Sequence, residues 1–175
     1  LQQHPRAANL LFTGTEHSVY FSVDAGATWL ALRQNLPPVA VDDIQIQARE
    51  NDLVIGTHGR GIWIMEDITP LEEMSQAVLT SNAHMFSTQK ATVYNQARPQ
   101  GWTPGAFEAP NPPMGARIRY WLGQDLASDA ASEDTNSAEE SQPGNANITI
   151  LNADGDVVRE LEGGGEHGLN EVIWD

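Results

Sequence analysis

The residues best suited to chemistry fall in three short stretches. Ser22 to Trp29 reads Ser-Val-Asp-Ala-Gly-Ala-Thr-Trp and brings Asp24 close to Trp29. A carboxylate near an indole is a sugar-processing pair, with Asp as acid and Trp as stacking surface. Thr57-His58-Gly59-Arg60-Gly61, followed by Trp63, offers an imidazole and a guanidinium to an anionic or sugar group. Two carboxylate pairs, Asp42-Asp43 and Glu66-Asp67, could be imagined as acid and base. Adjacent residues on a strand point to opposite faces, so neither pair easily flanks one glycosidic bond.

The spacing of the first stretch, Ser-x-Asp-x-Gly-x-x-Trp, has a mechanical explanation. Asp24 accepts hydrogen bonds from turn amides, and Gly26 permits a positive φ. Ser22 and Thr28 bond across the turn, and Trp29 packs beneath it as an anchor. Architecture is therefore the expected role of Asp24, and no residue is assigned to catalysis, to a metal or to a cofactor. For the second stretch two readings stand. His58, Arg60 and Trp63 bind a ligand, or Arg60 pairs with an acid while Gly59 and Gly61 make the turn. Glu16-His17 occupies the equivalent turn one repeat earlier, which favours a structural role there. Asn152 to Asp156 looks like a calcium loop but lacks the later bidentate Glu, so a hairpin is expected. Asn147-Ile148-Thr149 is a glycosylation sequon. Trp102 and Trp121 are read as packing or sugar-stacking aromatics.

These side chains need elements to hold them. Asn9–Thr15, Ser18–Asp24, Thr28–Arg33, "DDIQIQA", "DLVIGTHG" and "GIWIMED" read as short strands joined by Gly, Asn and Asp. On the second of these, Val19, Phe21 and Val23 share a face. "LLFTGTEHSVYFS" aligns with "LVIGTHGRGIWIM", and 42 residues separate Gly14 from Gly56. That is a usual blade length for a four-stranded β-propeller. "TPLEEMSQAVLT", residues 69–80, predicts a helix capped by Thr69, with Leu71, Met74 and Val78 on one face. "HMFSTQKATVYNQ" predicts one or two further strands, and a linker holding five of the ten prolines follows. A second β unit starts at Ala116. It is interrupted by an acidic, apolar-poor stretch over residues 123–147, expected to be a disordered insertion. The expected organisation is residues 1–68, then a short helix, strand and linker over 69–114, then residues 115–175.

Composition narrows the partners. The 175 residues carry 24 acids and 9 bases, a net charge of −15, and Lys90 is the single lysine. Nucleic acid and anionic membranes need a positive surface and are disfavoured, whereas such a charge suits a salty medium. Cysteine is absent, which excludes disulfides and thiolate metal sites. No apolar run approaches the roughly 18 to 20 residues that span a bilayer. The chain starts at Leu1 and stops within an apolar alternation, so a piece of a longer protein is expected, poorly stable alone.

The Ser22–Trp29 pattern resembles the Asp-box, or BNR repeat, at every signature position. With "NLP" and "LVIGTHGRGIWIMEDITPL" it resembles the final blades of sortilin-like and sialidase-like propellers in large exported bacterial proteins, often labelled glycosyl hydrolase. "NPPMGARIRYWL", "ITILNADGDVVREL" and "GLNEVIWD" resemble the Ig-like domain, similar to that of flagellar hook-capping proteins, that follows such propellers. The resemblance covers about two thirds of the chain. It implies an all-β fold: the terminal blades of a multi-bladed propeller, then a partial Ig-like β-sandwich. It further implies export to the periplasm, cell surface or medium, with the remaining blades as partners. The function expected is a non-catalytic scaffold and recognition segment for a glycan or protein. The alternative is scaffold for a glycoside hydrolase whose carboxylates lie in other blades, since no matching catalytic motif occurs here and fold does not imply function.

Overall fold

A computed structural model describes residues 1–32, 35–93, 113–127 and 143–175. Strands dominate these residues and helix is confined to two short turns, so the class is all-β. The chain divides into two compact units, Leu1–Ser81 and Asn82–Asp175.

The first unit holds two antiparallel meanders. Strands β1 (Gln2–Gln3), β2 (Leu11–Gly14), β3 (Val19–Ser22) and β4 (Leu30–Leu32) pair in chain order. Strands β5 (Val41–Gln47), β6 (Asp52–Thr57) and β7 (Ile62–Met65) do the same in a second sheet. Period-2 alternation decides what each sheet buries. Phe12, Val19, Phe21 and Leu32 present one face of the first sheet to the core, with Leu10 and Val23 beside them. Ile44, Leu53, Ile55, Trp63 and Met65 present one face of the second. Phe12, Leu10, Leu53 and Val19 are almost fully buried, and each such side chain contributes about 1.5–3 kcal/mol relative to exposure.

The sequence repeat is reproduced in the hydrogen bonding. Gly14 faces Val19 across the β2–β3 hairpin, as Gly56 faces Ile62 across β6–β7. Thr13 faces Tyr20, as Ile55 faces Trp63. The next residue closes each loop in the same way. Thr15 donates its amide (2.9 Å) and its hydroxyl (3.0 Å) to the Ser18 carbonyl. Thr57 donates its amide (3.1 Å) and its hydroxyl (2.6 Å) to the Gly61 carbonyl. The second loop is one residue longer, and Gly59 and Gly61 absorb the difference at φ 75°.

The helical segment differs from expectation. It forms α1 (Thr69–Glu73) and α2 (Gln76–Leu79), separated where Met74 turns to extended backbone at ψ 133°. Thr69 is not the cap. It lies inside α1, and its amide and hydroxyl both donate to Asp67 Oδ1 (3.2 and 2.5 Å). Ser75 starts a new turn by accepting from the Val78 amide (3.3 Å), the competition a serine mid-segment offers the backbone.

The second unit has a three-stranded sheet ordered β12 (Gly168–Trp174), β9 (Ala116–Leu122), β8 (Ala83–Met85), all antiparallel. A separate hairpin joins β10 (Asn145–Leu151) and β11 (Val157–Gly164). Of the one or two strands expected over residues 84–96, β8 forms, residues 86–93 carry no strand, and residues 94–96 lie outside the described residues. Consecutive strands β11 and β12 lie in different sheets. Ile118, Tyr120, Leu122 and Ile148 form the core, with Leu126, Ile150, Leu161 and Val172 against it. The Tyr120 hydroxyl donates to the Gly164 carbonyl (2.6 Å), tying the sheet to the hairpin. At the described ends of the acidic stretch, Leu126 donates its amide to Gly165 (2.8 Å) and Gly144 donates to Leu126 (2.8 Å). Its interior, residues 128–142, lies outside the described residues, as does Trp102.

Candidate functional site

The Ser22–Trp29 turn connects the third and fourth strands of the first sheet. Asp24 stands at its centre. Ser22 Oγ donates to Asp24 Oδ1 (2.7 Å), and the Thr28 amide donates to the same oxygen (2.8 Å). Thr28 Oγ1 donates to Asp24 Oδ2 (2.6 Å). Ser22 Oγ in turn accepts from the Gly26 amide (2.8 Å). The Thr28 bonds, then that of Ser22, hold the Asp24 carboxyl down to about 2, so it is ionised and fully engaged. Ala25 and Gly26 both take positive φ, at 58° and 94°. A Cβ on Gly26 would meet only ordinary contacts, so conformation, not space, selects glycine there. The Trp29 indole lies against the turn, 3.7 Å from where that Cβ would stand, yet is 38 % exposed. It is an anchor on one side only.

The Thr57–Gly61 loop lies at the end of the second sheet. His58 and Arg60 are exposed. His58 Nδ1 is 3.3 Å from Asp42 Oδ2, and the His58 amide donates to the Ala40 carbonyl (2.9 Å). The expected ion pair of Arg60 does not form: among the described residues its guanidinium has no acceptor, and only its carbonyl is used, by Trp63 Nε1 (3.1 Å). Trp63 turns its ring toward the core, so it supports the loop from below. The loop sets His58 against Asp42, and Trp63 holds the Arg60 backbone.

The carboxylate pairs separate. Asp42 meets His58, whereas Asp43 accepts from the Ile44 amide (2.9 Å) and from Gln45 Nε2 (3.2 Å). Asp67 serves Thr69, as described above. In the equivalent turn one repeat earlier, the His17 amide donates to Thr15 Oγ1 (3.2 Å) and its carbonyl accepts from Val39 (3.2 Å). Asn152 Oδ1 accepts the amides of Asp154 (2.9 Å) and Asp156 (2.8 Å), closing the hairpin. Trp121 packs edge-to-face on His167, and its buried Nε1 has no partner among the described residues. Among the described residues no group of three or more His, Cys, Asp or Glu could hold a metal ion, and no helix is long and apolar enough to cross a membrane.

One polar cluster went unread in the sequence. His4 and Asn51 are buried where the two sheets of the first unit meet α1. His4 Nδ1 accepts the amides of Arg6 (3.2 Å) and Ala7 (3.1 Å). The proton of the neutral ring is therefore on Nε2, which donates to Asn51 Oδ1 (2.9 Å). That fixes Asn51 Nδ2 as donor to Thr69 Oγ1 (3.2 Å) and Glu72 Oε2 (3.0 Å). Arg6 clamps Glu72 with two bonds (3.1 and 3.2 Å) and reaches the Ala48 carbonyl (2.7 Å). The Arg6 bonds hold the Glu72 carboxyl below its ordinary value. Local signals existed. Asn51 follows Glu50 in a turn and takes φ 62°, a conformation Asn tolerates. Their partners are 47 and 21 residues away, which no local pattern reveals.

No protein-family model, curated protein or solved structure matches the chain. The described residues form an all-β chain of two units in which the motif acid is engaged by its own turn and the loop cation has no acceptor among them.

Proposed function

We propose that the first unit is a pair of consecutive blades from a multi-bladed BNR-type propeller, and the second a partial Ig-like sandwich. The chain acts as a non-catalytic scaffold and recognition segment of an exported protein, with a glycan or protein as ligand. The observation that carries the non-catalytic reading is the engagement of Asp24. Both carboxylate oxygens are occupied within the turn, and its pKa near 2 suits neither a general acid nor a base at neutral pH. The recurrence of the Thr15 and Thr57 closures at blade-length spacing supports the propeller. Arg60 and His58 form the recognition surface, with a guanidinium that has no acceptor among the described residues addressing an anionic group.

The test is retention of the 175-residue chain on glycan and protein arrays, alongside a reducing-end assay on a polysaccharide panel. Retention that is lost in Arg60→Ala and His58→Ala, with no reducing ends released, supports recognition. Substrate-dependent release by this chain overturns the non-catalytic reading. Retention unaffected by both substitutions moves recognition away from this loop.

A further inference from the structure

The turn between β10 and β11 carries a reactive pair found nowhere else in the chain. Asp154 precedes Gly155, the single Asp-Gly step in the sequence, and no Asn-Gly step occurs. A residue with no side chain leaves its backbone nitrogen open to the carboxyl carbon of the aspartate before it. Ring closure between those two atoms gives a succinimide.

Bonding and exposure single out this aspartate. Asp52, Asp125 and Asp156 each accept a hydrogen bond on the carboxylate. So do Asp24, Asp43 and Asp67, and Asp42 faces His58. Asp154 uses its amide, which donates to Asn152 Oδ1 (2.9 Å), while its carboxylate has no partner among the described residues. Residues 151–160 are all exposed, so water reaches the pair. Gly155 stands in open space at φ 90°, with nothing within 4 Å of where a Cβ would point. Its amide donates to the Asn152 carbonyl (3.1 Å), the one bond that attack must open. In an exposed turn such opening costs little.

One side chain depends on the spacing of this turn. Asn152 Oδ1 accepts the amides of both Asp154 and Asp156, and Asn152 Nδ2 donates to Asp156 Oδ2 (3.2 Å). The Asn152 amide also donates to the Asp156 carbonyl (3.0 Å). A backbone lengthened between Asp154 and Asp156 cannot keep both amides on one oxygen.

We propose that Asp154–Gly155 is a self-modification site, where the chain isomerises to isoaspartate, releases the Asn152 clamp and becomes a substrate for an isoaspartyl-directed methyltransferase. The Gly155 nitrogen attacks Asp154 Cγ. The N–Cγ bond forms as one carboxyl oxygen leaves as water, taking the carboxyl proton and the amide proton. Water then opens the ring. Entry at Cγ restores aspartate. Entry at the Asp154 main-chain carbonyl breaks its bond to nitrogen, frees an α-carboxylate and leaves the chain running through Cβ and Cγ. Nothing is oxidised or reduced, and the mass is unchanged. On the methyltransferase, an oxygen of the freed carboxylate takes the methyl group of a sulfonium donor, whose sulfur–methyl bond breaks.

The test ages the 175-residue chain at neutral pH and physiological temperature. Isoaspartate is read with an isoaspartyl methyltransferase and a radiolabelled methyl donor, and a synthetic peptide of residues 151–157 sets the clock. Methyl acceptance should rise with time to no more than one per chain, at a rate within about tenfold of the peptide. Electron-transfer fragmentation should place it at position 154. Asp154→Glu, which needs a larger ring, should lose it. Asp154→Asn closes the same ring by losing ammonia and should gain it faster. In the aged chain the Asp154 and Asp156 amides should lose exchange protection. A chain that accepts no methyl once the peptide is half converted overturns the proposal. So does acceptance that maps elsewhere or survives in Asp154→Glu. Protection kept at the Asp156 amide of isomerised chain overturns release of the clamp.

Discussion

Replacing Asn51 by Ala should disrupt the first unit more than any single surface change. Asn51 is 1 % exposed and its side chain takes one hydrogen bond and donates two. Truncation leaves the His4 Nε2–H buried with no acceptor, which costs about 1–3 kcal/mol. It also removes the bond to ionised Glu72, although Arg6 still holds that carboxylate, so about 1 kcal/mol is a fair share. Finally, Ala inherits a backbone at φ 62°, which costs it roughly 1 kcal/mol more than Asn. The expected loss is about 3–4 kcal/mol, a large part of the stability of an ordinary domain. The chain has two units, so a global melt mixes their transitions. Amide hydrogen exchange at Phe12 and Leu53 reads the first unit alone, and protection there should fall roughly 10²- to 10³-fold. Asn51→Gly separates the terms: it loses the same side chain but not the backbone preference, and should recover about 1 kcal/mol over Ala. Protection within about fivefold of wild type in Asn51→Ala would falsify the view that this cluster joins the two sheets to α1. Greater damage from Gly than from Ala would refute the backbone term.

Two further outcomes follow from the repeat and from the turn. Gly14→Ala and Gly56→Ala change equivalent residues in different surroundings. A Cβ on Gly14 would stand 2.7 Å from Val41 Cγ1, whereas one on Gly56 has nothing nearer than 3.7 Å. Gly14→Ala should cost about 1–3 kcal/mol by overpacking and Gly56→Ala close to nothing, read by the same exchange experiment; equal effects would refute the packing argument. Acid should loosen the Ser22–Trp29 turn. Asp24 binds its proton less readily when folded, so its stabilisation is present above its ordinary value of 3.8 and is lost as pH falls toward about 2. Exchange protection at Gly26 and Thr28 should drop in that window, and Asp24→Asn should abolish the pH dependence while weakening the turn at neutral pH.

What was legible in the sequence followed from local periodicity. Alternation placed Val19, Phe21 and Val23 on one face, and all three pack on the core. The 42-residue spacing of Gly14 and Gly56 returned as matching register and matching threonine closures. Local signals misled where a competing partner won. Thr69 had the type and place of a cap, but Asp67 supplies the oxygen that a cap would have supplied, and Thr69 becomes a donor inside the helix. Ser75 broke a helix that hydrophobic spacing alone would have continued. Of the two readings of Arg60, the pairing with an acid finds no partner among the described residues, because the loop closes by Thr57 donating twice to the Gly61 carbonyl and uses only the carbonyl of Arg60.

The two copies of the hairpin differ in how their loops are held. Both carry a glycine at the strand end and a threonine that closes the loop twice onto one carbonyl. In the first copy Val41 packs onto Gly14, and the loop backbone is bonded to the chain entering β5 through Thr15 and His17. That loop is committed to joining two sheets. In the second copy Gly56 is uncrowded, the loop is longer by one residue, and His58 and Arg60 project from it. Its threonine closure makes the loop firm without using either side chain. Arg60 stands on a backbone held by other bonds and has no acceptor among the described residues, so its side-chain rotamers are what an anion would have to order. The same reasoning explains why Asp24, the residue that first suggests chemistry, is the wrong place to look. Its carboxylate is saturated by the turn it organises, whereas Arg60 owes the turn nothing but its backbone.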